Sequence, residues 1–263
     1  MKNLVGIVQG RLSVSPKNRL QFFPKDWRQE FKIAKDLGYN FIEFFTERKF
    51  NKNNPIWKPL LIKEYSKLAK NNNLKVINFC DDYIISNSIK DKKTQIYLIK
   101  LLKNINKLNV KNLILPMYGK SDLTDKNYFQ FIDIFNKILR SSKKIKILIE
   151  SNISPESFKD LKSKVNSKKL LFLFDTGNRI NLKRNLYKDL ESMYSCIEHI
   201  HIKDKNKNKQ NVKLNSGLVN FNKLFKILKK KKYKKHFTFE TTRDSEPINT
   251  AKKNIKFLKS LLN

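Results

Sequence analysis

The chain has 263 residues, and its 57 Lys and Arg against 23 Asp and Glu give a formal net charge of +34. No apolar run is long enough to cross a bilayer as a helix, which predicts a protein without a membrane anchor. The opening MKNLVGIVQGRLS turns polar too early for a secretory signal, and the two Cys supply no disulfide framework, so we expect a cytoplasmic location.

The apolar pattern alternates between strand-like and helix-like segments along the whole chain. Gly38 predicts a helix end, and Ser154 followed by Pro155 predicts a helix start. The predicted strands are 4–9, 40–45, 74–80, 112–116, 146–151, 170–174, 199–202 and 236–240. The predicted helices are 27–39, 59–72, 94–108, 128–142, 154–165, 186–197, 221–230 and 248–262.

This alternation predicts the fold class. Short apolar strands separated by helices indicate parallel strands that are buried on both faces. Eight such units in this length predict an α/β protein with a single (β/α)8 TIM barrel, and residues 1–263 as one domain. A doubly wound open sheet is the rival, but GIVQGR at 6–11 does not match the GxGxxG pattern of dinucleotide-binding domains.

Polar residues occur where the predicted strands end, which is the edge of a TIM barrel that carries the chemistry. The second half of the chain is the more informative, because Glu150, Asp175, His201 and Glu240 follow four consecutive apolar strands. In a barrel these side chains converge on one mouth, where three carboxylates would repel one another. A divalent cation relieves that repulsion, and one nitrogen among oxygens suits Mn²⁺, Mg²⁺ or Co²⁺, with Zn²⁺ also compatible.

Each of these residues also has a structural interpretation. A carboxylate that ends a strand is often the N-cap of the next helix. The motif HIHIK offers two imidazoles, and we take His201 as the ligand and expect His199 to face the helical layer. His236 opens the last strand on the opposite side of the barrel and is expected to be structural.

Four short motifs give the chain a family resemblance. They resemble the xylose isomerase-like TIM barrel superfamily, which holds sugar and sugar phosphate isomerases and epimerases, dehydratases and endonuclease IV. The motifs are IES at 149–151, FDTGN at 174–178, HIHIKD at 199–204 and FETTR at 239–243. The resemblance implies one divalent metal ion, held by Glu150, Asp175, His201 and Glu240. It further implies that Glu150 and Glu240 are the catalytic acid/base pair.

Other strand-end residues are candidates for binding the substrate. Asn178 stands where ketose 3-epimerases of the superfamily place a His, so the chain departs from their pattern there. Lys203 and Arg243 are expected to neutralise an enediolate or bind a phosphate, with solvated surface positions as the alternative. The remaining candidates come from the first two strands and are Gln9, Arg11 and Glu43.

The resemblance implies a metal-dependent isomerase or epimerase that acts on a sugar or sugar phosphate through a cis-enediolate. A dehydratase using the same site is one alternative. A non-catalytic, basic, nucleic-acid-binding barrel is another, although the Lys are spread over every predicted helix instead of forming one stripe. A trinuclear nuclease is disfavoured because the chain has only three His. We therefore expect a small carbohydrate as partner and neither a membrane nor nucleic acid, and we leave a homodimer open.

Overall fold

The computed structural model describes residues 3–16, 19 and 21–262. Its centre is a closed barrel of eight parallel strands in which each strand pairs with the next and the last pairs with the first. The strands are β1 Val5–Val8, β2 Phe41–Thr46, β3 Asn78–Asp81, β4 Asn112–Pro116, β5 Lys146–Glu150, β6 Leu170–Asp175, β7 Ile197–Ile202 and β8 His236–Phe239. The predicted (β/α)8 TIM barrel is confirmed.

Helices follow the strands, and their ends carry the predicted signals. Gly38 ends the first helix with φ 84°, and the Ser154 side chain accepts a hydrogen bond from the Ser157 N–H at the start of the fifth. The helices are α1 Gln29–Leu37, α2 Pro59–Asn71, α3 Lys92–Lys107, α4 Ile132–Ser141, α5 Pro155–Val165, α6 Leu186–Met193, α7 Phe221–Lys230 and α8 Pro247–Leu262. Within the described ranges, none is long and apolar enough to cross a membrane.

Several segments differ from the prediction, among them an unpredicted short helix, Tyr83–Ser86, and the start of β7 at Ile197, where a helix was predicted. Residues 74–77 precede β3 and make only an isolated bridge between Lys75 and Phe41, so the regular strand is shorter than expected. After β7 the chain forms an unpredicted hairpin, in which Asp204–Lys205 pairs antiparallel with Asn211–Val212. This hairpin leaves the C-terminal end of the barrel and reaches over its mouth.

The inside of the barrel contains a hydrogen-bonded layer that we call the polar belt. Glu43 Oε2 accepts from Asn78 Nδ2 at 2.9 Å and from the Thr238 hydroxyl at 3.1 Å. Asn112 Nδ2 donates to Asn78 Oδ1 at 2.8 Å, and His199 Nε2 lies 2.7 Å from Thr238 Oγ1. The members of the belt are Glu43, Asn78, Asn112, His199 and Thr238, all of them buried.

The position of His199 corrects the expectation that it faces the helical layer. It lies inside the barrel one layer below His201, with ring centroids 5.6 Å apart. Residues two apart on a strand point to the same side, so both imidazoles enter the interior. Burial lowers the pKa of His199 well below its ordinary value, which keeps this ring neutral.

Candidate functional site

A cavity of about 390 Å³ opens at the C-terminal mouth of the barrel. It is lined by side chains from strand ends on every side of the barrel, as expected for a TIM barrel. Those on which the site depends are Glu43, Tyr118, Glu150, Asn178, His201, Lys203, Lys205 and Glu240.

Asp175 ends β6 with its two oxygens in different environments. Oδ1 accepts from the Asn178 N–H at 2.6 Å and caps the short helix Thr176–Ile180. Oδ2 points to the interior, 3.0 Å from Lys203 Nζ and 3.9 Å from His201 Nδ1. Asp175 is therefore both a helix cap and a member of the site, and its carboxylate does not lie buried without partners.

His201 lies between two carboxylates. Its Nδ1 is 3.2 Å from Glu240 Oε2, and its Nε2 is 2.9 Å from Glu43 Oε1. Burial opposes the charged form, but the charges of Glu43 and Glu240 raise the pKa of His201 well above its ordinary value. Nδ1 is the ring nitrogen that faces Asp175 and Glu240, so it is the atom available to them.

Lys203 is buried, and its ammonium lies between two carboxylates of the site. Nζ is 3.0 Å from Asp175 Oδ2 and 2.6 Å from Glu240 Oε2. Burial alone lowers the pKa of Lys203, but the charges of Asp175 and Glu240 raise it above the ordinary value. Burial would raise the pKa of Glu240, yet Lys203, His201 and Arg11 hold it well below its usual range.

Glu150 lies in the same cavity but has different neighbours, and its pKa is shifted in the opposite direction. Its Oε1 accepts from Asn178 Nδ2 at 2.7 Å and lies 3.3 Å from the Tyr118 hydroxyl. Burial, reinforced by the charges of Asp175 and Glu240, raises the pKa of Glu150 to about 8. The site thus contains two glutamates with opposite protonation preferences.

The side chains around His201 fit a divalent cation. Asp175, His201 and Glu240 offer ligand atoms within 4.8 Å of one another, and Asp175 Oδ2 is buried without a hydrogen-bond partner, since its Lys203 contact is an ion pair without hydrogen-bond geometry. Two carboxylate oxygens and one imidazole suit a hard or borderline divalent ion. Glu150, the fourth predicted ligand, is outside this close group and is held by Asn178 and Tyr118.

The other residues predicted to bind substrate do not all lie in the cavity. Asn178 lies in the cavity, where its Oδ1 accepts from Lys205 Nζ at 2.8 Å. Arg11 is buried beside the site, with NH2 3.8 Å from Glu240 Oε1. Gln9 instead donates to Glu30 Oε2 at 2.8 Å and accepts from the Tyr65 hydroxyl, so it packs against α1 and α2 away from the cavity.

The two remaining predicted substrate contacts are engaged by other groups of the protein. The carboxylate of Glu43 is fully buried beneath His201 and belongs to the polar belt, so it supports the imidazole from below. Arg243 donates to the Arg19 carbonyl at 2.5 Å and lies over the Phe22 ring, and burial lowers its pKa to about 9.

Three side chains that contact predicted site residues were not themselves among the predicted site residues. Gln21 Nε2 lies 3.4 Å from Glu240 Oε1, Tyr118 contacts Glu150, and Lys205 contacts Asn178. Tyr118 follows β4 and shared the strand-end signal. Lys205 could have been found only from the hairpin, whose polar sequence has no strand pattern, and Gln21 lies in a loop without a distinguishing signal.

The chain matches the family model described as xylose isomerase-like TIM barrel over residues 31–261. No curated protein matches it in sequence. Among solved structures, a xylose isomerase domain protein from Planctomyces limnophilus has a TM-score of 0.77 and 14% identity, with 99% of this chain and 98% of that chain covered. D-psicose 3-epimerase from Clostridium cellulolyticum H10 has a TM-score of 0.76 and 13% identity, with both chains fully covered.

A third similar structure is that of the IOLI protein with a bound zinc atom. It has a TM-score of 0.75 and 14% identity, and 100% of this chain and 99% of that chain are covered. At such identities the likeness concerns the fold, while the family model covers most of the sequence. This chain belongs to the xylose isomerase-like TIM barrel family.

Proposed function

We propose that this protein is a divalent-metal-dependent isomerase or epimerase that acts on a sugar or sugar phosphate. The observation that carries the proposal is the placement of Glu150 and Glu240 in one cavity. Glu150 ends β5 and Glu240 follows β8, and these strands are three positions apart in the ring of eight, so the two carboxyl groups approach the cavity from different sides.

Two carboxyl groups on different sides of a bound sugar are suited to proton transfer. One glutamate removes the proton from the carbon next to the carbonyl, and the electron pair moves to the carbonyl oxygen to give an enediolate. The other glutamate returns a proton to the opposite face, which inverts the carbon, or to the neighbouring carbon, which moves the carbonyl. Asn178 and Tyr118 orient Glu150 for this task, and Arg11 lies beside Glu240.

A divalent ion held by Asp175, His201 and Glu240, with Glu150 as a further candidate ligand, would supply positive charge that polarises the substrate carbonyl. Known proteins of this fold support the substrate class, since D-psicose 3-epimerase and L-ribulose 3-epimerase are named for sugars. A small carbohydrate is therefore the proposed partner, and the cytoplasm remains the expected location.

The test is to incubate the protein with Mn²⁺ and a ketose or sugar phosphate in D₂O. NMR then follows the exchange of substrate hydrogen for deuterium. We expect deuterium at the carbon next to the carbonyl, and a loss of about 100- to 10,000-fold in Glu150→Gln and in Glu240→Gln. The exposed Glu191→Gln on α6 is the matched control and should keep the wild-type rate.

The products decide among the alternatives. An inverted or isomerised sugar supports the proposal, whereas an unsaturated or deoxy product shows that the site eliminates a hydroxyl group instead. Exchange that survives in both glutamine variants would contradict the proposed acid/base pair.

A further inference from the structure

The ammonium of Lys203 and the ring of His201 contact the same two oxygens. Lys203 Nζ lies 3.0 Å from Asp175 Oδ2 and 2.6 Å from Glu240 Oε2. His201 Nδ1 lies 3.9 Å and 3.2 Å from those same atoms. These oxygens belong to two of the three residues of the close ligand group, so Lys203 occupies the neighbourhood in which a cation would bind.

The distances leave little room for two cations. A divalent ion binds carboxylate oxygen at about 2.1 Å. Because Lys203 Nζ is 2.6 Å from Glu240 Oε2, an ion on that oxygen would lie within about 4.7 Å of the ammonium. Like charges at such a separation in a buried site repel strongly.

Contacts with Thr176 and Gly177 fix the direction of the Lys203 side chain. The Thr176 hydroxyl accepts from the Lys203 N–H at 2.9 Å and donates to the Lys203 carbonyl at 2.6 Å, which fixes the backbone. A Cβ at Gly177 would lie 2.7 Å from Lys203 Cγ, so glycine at this position clears the way for the side chain. The stem is thereby directed to Asp175 and Glu240 and away from solvent.

We propose that Lys203 is a built-in counter-ion that holds Asp175 and Glu240 in the metal-free protein and must be displaced when a divalent ion binds. Lys203 therefore weakens the affinity of the site for metal. The inference rests on the metal site of the proposed function. The displaced ammonium stays in the cavity with Glu150, where it can face a bound substrate.

The experiment is Mn²⁺ titration calorimetry on chelator-treated wild type, Lys203→Met and Lys209→Met. Lys209 lines the same cavity but is exposed, which makes it the matched control. We expect Lys203→Met to bind Mn²⁺ at least about 10-fold more tightly than wild type, since the competing charge is gone. Lys209→Met should stay within about 3-fold of wild type, because solvent-exposed charges act weakly.

A second measurement covers the case in which Lys203→Met is unstable without metal. Thermal unfolding with and without Mn²⁺ should show a larger metal-induced rise of Tm in Lys203→Met, or in Lys203→Gln, than in wild type. Binding in a Lys203 variant but not in wild type also supports the inference.

Other outcomes separate this inference from the proposed function. Equal or weaker Mn²⁺ binding in both Lys203 variants, with clear binding in wild type, overturns the counter-ion role and leaves the proposed function standing. If neither wild type nor any variant binds Mn²⁺, Mg²⁺, Co²⁺ or Zn²⁺, the metal site itself is contradicted, and the inference is lost with it.

Discussion

Glu43 lies beneath His201 and places a carboxylate oxygen beside one of its ring nitrogens. Its Oε1 is 2.9 Å from His201 Nε2, while its Oε2 accepts from Asn78 and Thr238. In the neutral ring that metal binding requires, a carboxylate in this position favours the proton on Nε2 and leaves Nδ1 as the ligand atom. Glu43 therefore acts on the site through His201, although the sequence suggested a contact with substrate.

Glu43→Gln is expected to weaken Mn²⁺ binding by about 10- to 100-fold. An amide removes the negative charge beside His201 Nε2 and cannot present acceptor oxygens both there and toward Asn78 and Thr238, so the His201 tautomer is no longer fixed. Titration calorimetry measures the loss. Thr238→Val removes another belt partner of Glu43 without touching His201, and it should cost less than about 3-fold. Wild-type affinity in Glu43→Gln would show that the tautomer is set elsewhere.

The buried carboxyl group of Asp81 should make the stability of the folded protein depend on pH. Its carboxyl is fully buried between Thr46 and the Tyr97 hydroxyl, and burial raises its pKa to about 7 against hydrogen bonds that lower it. A folded-state pKa above the unfolded value stabilises the protein at low pH, and this stabilisation is lost as the pH rises through about 7.

Asp81→Asn should therefore gain stability relative to wild type as the pH rises, by on the order of 2–3 kcal/mol between about pH 5 and pH 8. Urea unfolding at several pH values measures the difference. The exposed Asp133→Asn on α4 should follow the wild-type slope. A constant difference between Asp81→Asn and wild type across this range would contradict the raised pKa.

At the scale of elements, the Asp204 carboxylate ties the hairpin after β7 to the segment that follows it. Asp204 accepts from the Gly217 N–H at 2.9 Å and from the Val219 N–H at 3.1 Å. A Cβ at Gly217 would lie 2.3 Å from Asp204 Oδ1 and 2.6 Å from the Lys205 carbonyl. Only glycine fits this approach, which holds Lys205 over the cavity.

Gly217→Ala should destabilise the protein by about 1–3 kcal/mol, because the added methyl group forces the segment away from Asp204. Chemical unfolding gives the magnitude. The neighbouring Ser216→Ala is exposed and should stay within about 0.5 kcal/mol of wild type. If the two variants are equally stable, the close approach at Gly217 does not constrain the hairpin.

The strand–helix alternation was predictable because buried parallel strands and amphipathic helices have different apolar periods. The meeting of Asp175, His201 and Glu240 followed from it, since parallel strands bring their carboxyl ends to one edge. The direction of the Gln9 side chain could not be predicted in this way. It follows β1 directly, but the chain turns at Gly10 with φ 84°, and Glu30 of α1 binds this turn, so the side chain leaves the cavity. No local pattern in the sequence encodes that turn.

On the scale of the whole molecule, the net charge of +34 opposes compactness. The metal-free protein should therefore gain about 2–4 °C in Tm when NaCl rises from about 10 mM to about 300 mM, because salt screens the repulsion. KCl at equal concentration should act alike, which distinguishes screening from specific ion binding. A Tm that is unchanged or lower in salt would show that self-repulsion contributes little to stability.

The polar belt also affects the register in which the strands pair when the barrel closes. Its members come from five of the eight strands: Glu43 from β2, Asn78 from β3, Asn112 from β4, His199 from β7 and Thr238 from β8. A slip of one residue in any of these strands would turn its belt member to the helical side. The partners left behind would be buried without hydrogen bonds, at about 1–3 kcal/mol each. An aliphatic interior would penalise such slips far less, so the belt discriminates the native strand alignment from its misaligned neighbours.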